Sequence, residues 1–172
     1  MHRSVWPLLL LGAFGCHKDA PPASPPAAPN AAPTVAPADT PSPAGGLVGE
    51  LQRQALDRPK GTVTVEQVLM AIGDAGVKLE PHKQVLATAL RAHYCEVAST
   101  TAGLGMSICE YDDLAQAKAG RERSETQFAA FGKRTLVLNE KTLLSLNPIE
   151  ETPAVAAEKV KIVALFGKLS AK

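Results

Sequence analysis

Several features that usually point to a function are scarce in this chain of 172 residues. Positive and negative side chains nearly balance, with 18 Lys and Arg against 17 Asp and Glu, whereas nucleic-acid-binding proteins usually carry a basic excess or stripe. Aromatic residues make up 4% of the chain, too few to suggest a stacking platform or an aromatic cage. The composition therefore argues against a nucleic-acid partner.

Familiar catalytic and cofactor motifs are missing as well. The sequence has no Gly-x-Ser-x-Gly elbow, no phosphate loop, no His-Glu-x-x-His and no Cys-x-x-Cys-His segment. Residues 103–108 begin like a dinucleotide-binding loop, but Ile108 stands where the third glycine is needed, and a strand pattern follows. We therefore expect a protein that is not an enzyme and that holds no cofactor.

The N-terminal apolar run is too short for a transmembrane helix. Residues 5–14 provide ten positions, about half of the ~20 that a helix needs to cross a bilayer. The run follows a short basic start and ends at Ala13-Phe14-Gly15-Cys16, with small residues at Ala13 and Gly15, which suits signal-peptidase cleavage. This pattern predicts a secretory signal peptide over residues 1–15.

A cysteine at the cleavage position resembles the signal of bacterial lipoproteins, in which that cysteine becomes the lipidated first residue. The resemblance covers residues 1–16, although Ala13 stands where the family usually has Leu, and Phe14 where it has a small residue. It implies a lipid on Cys16 and a place in the cell envelope, at the outer membrane or the periplasmic face of the inner membrane. Ordinary cleavage that releases a soluble protein, and an incidental Cys16, are the alternatives.

A Pro/Ala-rich segment follows the signal. Residues 17–46 contain nine of the 14 prolines and nine alanines, and Val35 is their one bulky apolar residue. Such a segment cannot bury enough surface to offset its chain entropy, and its prolines favour an extended polyproline II conformation. We interpret residues 16–46 as a lipid-bearing, disordered tether; a leader without a mechanical role is the alternative.

Residues 47–172 have the composition of a single globular domain of 126 residues. Apolar residues at helical spacing predict four helices, three of which begin at N-cap residues, namely Thr64, Asp113 and Thr152. In the first of these, the apolar face would consist of four residues: Val65, Val68, Leu69 and Ile72.

Two pairs of alternating segments predict β-hairpins. The first pair joins residues 92–99 to 105–111, and the second joins 134–138 to 142–146. Residues 78–91 suit a helix as well as an irregular strand, since Pro81 interrupts them. The order α-α-β-β-α-β-β-α predicts an α+β fold: an antiparallel four-stranded sheet from two hairpins, with helices packed on one face.

The two domain cysteines fit a disulfide across the first hairpin. If the turn centres on Ala102, paired positions sum to 204, so that Cys95 faces Cys109 at a distance that a bridge can span. Export would place the domain where disulfides persist. A metal site of His93 with the two cysteines, and free or redox-active thiols, are the alternatives; strand parity puts Met106 on the other face.

Other candidate ligands have simpler explanations. Glu110, Asp112 and Asp113 could attract a cation, but Asp113 is accounted for as a helix cap, so we expect no metal there. His93 is expected to be a sheet-surface or part-buried residue. These observations predict a non-catalytic cell-envelope lipoprotein whose domain binds an unidentified protein or envelope component. The alternative is a small exported metal-handling protein or enzyme that uses His93 with Cys95 and Cys109.

Overall fold

The computed structural model describes residues 45–132 and 134–171. At Phe131, within the first range, it describes the backbone alone. The predicted signal peptide over residues 1–15, Cys16 and residues 17–44 of the predicted tether lie outside the described residues. The main elements are α1 (Gly46–Leu56), α2 (Val65–Asp74), β1 (Lys83–Val85), β2 (Tyr94–Ser99), β3 (Leu104–Glu110), α3 (Leu114–Gln127), β4 (Thr135–Asn139), β5 (Thr142–Pro148) and α4 (Pro153–Phe166). Two short 3-10 helices cover Ala87–Leu90 and Ala129–Phe131.

Local signals place three of the helices correctly. Thr64 and Gln67 form a reciprocal capping box at the start of α2, since each side chain accepts a hydrogen bond from the other's backbone N–H. Asp113 and Thr152 accept equivalent bonds at α3 and α4. All three predicted caps are confirmed. Among the described residues, no helix is both long and apolar enough to cross a bilayer.

The sheet has five antiparallel strands in the order β1-β2-β3-β5-β4, so the prediction of four strands is wrong. The added strand, β1, comes from the ambiguous segment at 78–91. It spans three residues, which is too short to produce a visible alternation. Its Gln84 side chain faces α1 and donates a hydrogen bond of 2.7 Å to the backbone oxygen of Leu51.

Helices cover both faces of the sheet, so the prediction of helices on one face is also wrong. On the first face, here called the core face, α2 and α4 pack against strand residues such as Met106, Ile108 and Leu144. On the opposite face, here called the disulfide face, α3 and the first 3-10 helix pack around Cys109 and Tyr111. The strands alternate between two partly apolar faces, which is why both need a cover.

The helices differ in the size of the side chains that they bury. The predicted face of α2 is buried, and α4 buries Val155, Ile162 and Phe166. In α3, however, the buried residues are small ones, Ala117, Gly120 and Ser124, whereas Leu114 is 47% exposed. Small residues are needed there because the large side chain of Tyr111 lies directly beneath α3.

Candidate binding groove over the disulfide

The predicted disulfide is present and lies at the predicted register. Cys95 and Cys109 face each other across β2 and β3, with a sulfur–sulfur distance of 2.06 Å and Cα atoms 4.2 Å apart. That Cα distance is typical of a non-hydrogen-bonded antiparallel pair, in which side chains come closest. Both residues are 1% exposed. The bridge therefore forms part of the interior of the disulfide face.

His93 is held away from the sulfur atoms by other partners. Its Nε2 atom lies 2.7 Å from Oδ2 of Asp112, and its Nδ1 atom lies 3.3 Å from the backbone oxygen of Asp57. Both ring nitrogens are thus engaged, and both cysteine sulfurs are bonded to each other. Within the described ranges, no group of three or more His, Cys, Asp or Glu side chains is arranged to hold a metal ion.

The three neighbouring acidic residues have separate partners. Asp112 pairs with His93, and Asp113 caps α3. Glu110 is fully buried on the core face, where it accepts bonds from the Arg58 guanidinium and, at 2.7 Å, from the backbone N–H of Val65 at the start of α2. A carboxylate at a helix N-terminus also interacts favourably with the helix dipole.

Arg58 connects this buried carboxylate to the surface. Its guanidinium also bonds both carboxylate oxygens of Glu66 and lies over the ring of Tyr94, 4.1 Å from the centroid. Burial lowers the pKa of Arg58, but its bonds to Glu66 and Glu110 outweigh this effect and raise it. The same bond holds the pKa of Glu66 below its usual range. We interpret this cluster as a structural anchor between α2 and the sheet.

A second polar chain runs along the same face from Tyr94. The Tyr94 hydroxyl donates to Glu96, and the other oxygen of Glu96 pairs with Nδ1 of His82. Burial and the neighbouring Glu96 carboxylate raise the pKa of Tyr94. Each of these groups has its partner inside the network, and none lines the groove described next.

An open groove of about 460 Å³ lies over the disulfide. One wall comes from β1 and the first 3-10 helix, with Val85, Leu86 and Leu90. The other comes from the end of α3 and the segment before β4, with Phe128 and Arg134. The volume lies within the usual range for small-molecule pockets, and the walls are largely apolar, as such pockets generally are.

Short side chains on the sheet keep the groove open. Ser107 of β3 and Ser145 of β5 face each other across the ladder, and the neighbouring Gly105 pairs with Asn147. At Gly105 an added β-carbon would lie 3.2 Å from the Asn147 backbone oxygen, so even a methyl group is crowded there. Had these positions carried large apolar side chains like those on the core face, they would have filled the groove.

Tyr111 shapes the neighbouring part of the disulfide face. Its side chain is fully buried beneath α3, and a β-carbon at Gly120 would overlap first the Tyr111 hydroxyl oxygen and then the ring atoms beside it. The hydroxyl finds no hydrogen-bond partner among the described residues, and burial raises the pKa of Tyr111 to about 12. Glycine at position 120 therefore lets α3 approach the sheet closely.

A second cleft lies between the first 3-10 helix and α3. Its volume is about 500 Å³, and its lining includes Arg91, Glu122 and Arg123. Charges of both signs occur there, as expected for a solvated surface. The apolar groove is therefore the better candidate for a binding site.

The sequence predictions covered the floor of the groove but not the groove itself. The register that paired Cys95 with Cys109 also paired Val97 with Ser107, and both pairs are confirmed. A usable signal was present: large residues alternate with small ones at Leu104-Gly105-Met106-Ser107 and again around Ser145. Such alternation indicates a sheet face that its own side chains leave open.

No protein family, curated protein or solved structure matches this chain at a significant level.

Proposed function

We propose that this chain is a non-catalytic lipoprotein of the cell envelope, whose domain binds an apolar envelope component in the disulfide groove. The groove is the observation that carries the proposal, since it joins apolar walls to a floor of short side chains. Lipid on Cys16 would attach the chain to a membrane. Residues 16–46 would act as the tether, and residues 16–45, which precede α1, could extend by about 90 Å, at ~3.1 Å per residue in polyproline II.

Binding rather than catalysis is favoured by what lines the groove. Nucleophilic catalysis needs a nucleophile within reach of a base. Ser107 and Ser145 provide hydroxyl groups, but neither histidine of the domain is among the residues that line the groove. The alternative, metal or redox chemistry by His93 with Cys95 and Cys109, would require the disulfide to open and His93 to leave Asp112.

Photo-crosslinking in intact cells tests the proposal. A benzophenone amino acid at position 107 places the reactive group on the groove floor, and the same amino acid at Ala164, exposed on α4, serves as the matched control. We expect an adduct of defined mass at position 107 and none at 164. Equal labelling at both positions, or none at either, would contradict the binding function.

A further inference from the structure

Arg134 is the one charged side chain among the described residues that line the disulfide groove. Its Nη1 atom donates to the Ser124 hydroxyl at 3.1 Å, and its Nη2 atom donates to the Ser124 backbone oxygen. The guanidinium also lies 5.2 Å from the centroid of the Phe128 ring. All of these partners are neutral, and none of the ion pairs in the described ranges includes Arg134.

We infer that the groove binds the carboxylate of a free fatty acid at Arg134 and its single acyl chain over the disulfide, an inference that rests on the binding function proposed above. A half-buried guanidinium without a carboxylate partner attracts an anionic group into the same place. Arginine has five N–H donors, and the bonds to Ser124 engage two of them. The remaining donors can receive a carboxylate in the paired geometry that arginine favours.

The partial burial of Arg134 supports an anionic ligand at this position. Loss of solvent lowers the pKa of Arg134, and only the charge of nearby Glu125 opposes the effect. Glu125 is exposed and bonds Arg121 instead. The groove therefore presents a partly desolvated cation beside apolar walls, which is the complement of a molecule with an anionic head and an apolar chain.

The size of the groove favours one acyl chain over two. Its 460 Å³ correspond to roughly 15 groups that each occupy about 30 Å³, the volume of a water molecule in the liquid and close to that of a methylene. A single chain of medium length matches that volume more closely than the two long chains of a phospholipid do. We therefore assign the site to a free fatty acid and not to a bilayer phospholipid.

Affinity should rise with chain length until the groove is filled. Complete burial of one methylene contributes about 0.8 kcal/mol, which corresponds to roughly fourfold tighter binding. The groove is open on one side, so burial of each methylene is incomplete. We therefore expect binding to become two- to fourfold tighter with each methylene added between octanoate and decanoate.

Calorimetric titration of the full chain with decanoate tests the inference. The chain carries Cys16→Ser, so that it can be purified without detergent if Cys16 bears the lipid. We expect one decanoate per chain, and at least tenfold weaker binding of decanol, which has the same chain length without the charge. Arg134→Gln should weaken decanoate binding by the same factor, whereas Arg53→Gln, at an exposed arginine on α1, should leave it unchanged.

Two further variants separate charge and space from folding. Arg134→Lys keeps the charge but not the paired bonds to Ser124, so decanoate should bind within about fivefold of the original affinity. Ser107→Trp fills the groove and should abolish binding, while Ala164→Trp on α4 should not. Equal binding of decanol and decanoate, or equal loss in Arg134→Lys and Arg134→Gln, would overturn the role of Arg134.

The two proposals can fail separately. If decanoate does not bind but crosslinking at position 107 yields a specific adduct, the fatty-acid inference is wrong and the binding function stands. If decanoate does not bind and position 107 gives no specific adduct, both are wrong. Binding to phosphatidylglycerol vesicles that Ser107→Trp abolishes would place a bilayer phospholipid in the groove and would also overturn the fatty-acid inference.

Discussion

Replacing Tyr111 by Phe should stabilise the domain. The Tyr111 hydroxyl is buried under α3 without a partner among the described residues. Burying a hydroxyl that makes no hydrogen bond costs about 1–3 kcal/mol in proteins. Tyr111→Phe removes that oxygen, which is the Tyr111 atom nearest to Gly120, and keeps the ring beside it. Allowing for a small void, we expect the free energy of unfolding to increase by about 1 kcal/mol at neutral pH.

The same substitution should change the response to alkali. The folded pKa of Tyr111 is about 12, whereas an unfolded tyrosine titrates near 10, so the unfolded chain loses this proton first. Tyr111 therefore leaves the stability of the domain unchanged with pH below about pH 10, and the domain loses up to about 3 kcal/mol as the pH rises through 10 to 12. Tyr111→Phe should remove this part of the alkaline destabilisation.

Urea unfolding followed by circular dichroism at pH 7 and pH 11 measures both effects on the Cys16→Ser chain. Tyr94→Phe provides the matched control, because the Tyr94 hydroxyl donates to the buried Glu96 and its loss should destabilise the domain. A Tyr111→Phe variant that is less stable than the original at pH 7, with the same loss between pH 7 and pH 11, would refute the reasoning.

Three further substitutions test the packing, the bridge and the anchor. Gly120→Ala should lower the free energy of unfolding despite the better helix propensity of alanine, because its β-carbon meets the Tyr111 hydroxyl and the adjoining ring atoms; an unchanged urea midpoint would contradict this. Cys95→Ser opens a 15-residue loop and should cost about 3 kcal/mol. After unfolding without a reductant, mass spectrometry should show Cys109 labelled by a thiol reagent in Cys95→Ser and unlabelled in the original chain; equal labelling in both chains would exclude the bridge. Cys16→Ser should move the protein from the membrane fraction to the soluble fraction, and a variant that stays with the membrane would refute lipid anchoring at that residue.

Local interactions explain which parts of the fold could be predicted from the sequence. The caps at Thr64 and Asp113 depend on residues three positions away, and the pairing of Cys95 with Cys109 depends on a short turn. Each signal lies within about 15 residues of its partner. The fold class and the disulfide could therefore be predicted before any tertiary arrangement was known.

Long-range packing explains what the sequence patterns missed. The bond between Arg58 and Glu110 spans 52 residues, and β1 is too short to show alternation. The placement of α3 on the disulfide face depends on Gly120 fitting over Tyr111, a contact that helical periodicity cannot reveal. The groove itself arises from the distance between two covering segments, and neither segment's sequence encodes that distance alone.

The most direct test of a binding function is to identify the molecule that remains bound when the protein is isolated from its own cells. The Cys16→Ser chain can be isolated without detergent and weighed intact under native conditions, then again after denaturation. We predict an added mass that is released on denaturation, that matches a single-chain carboxylic acid, and that is absent from Ser107→Trp but present in Ala164→Trp. An identical mass before and after denaturation in every variant would contradict the account.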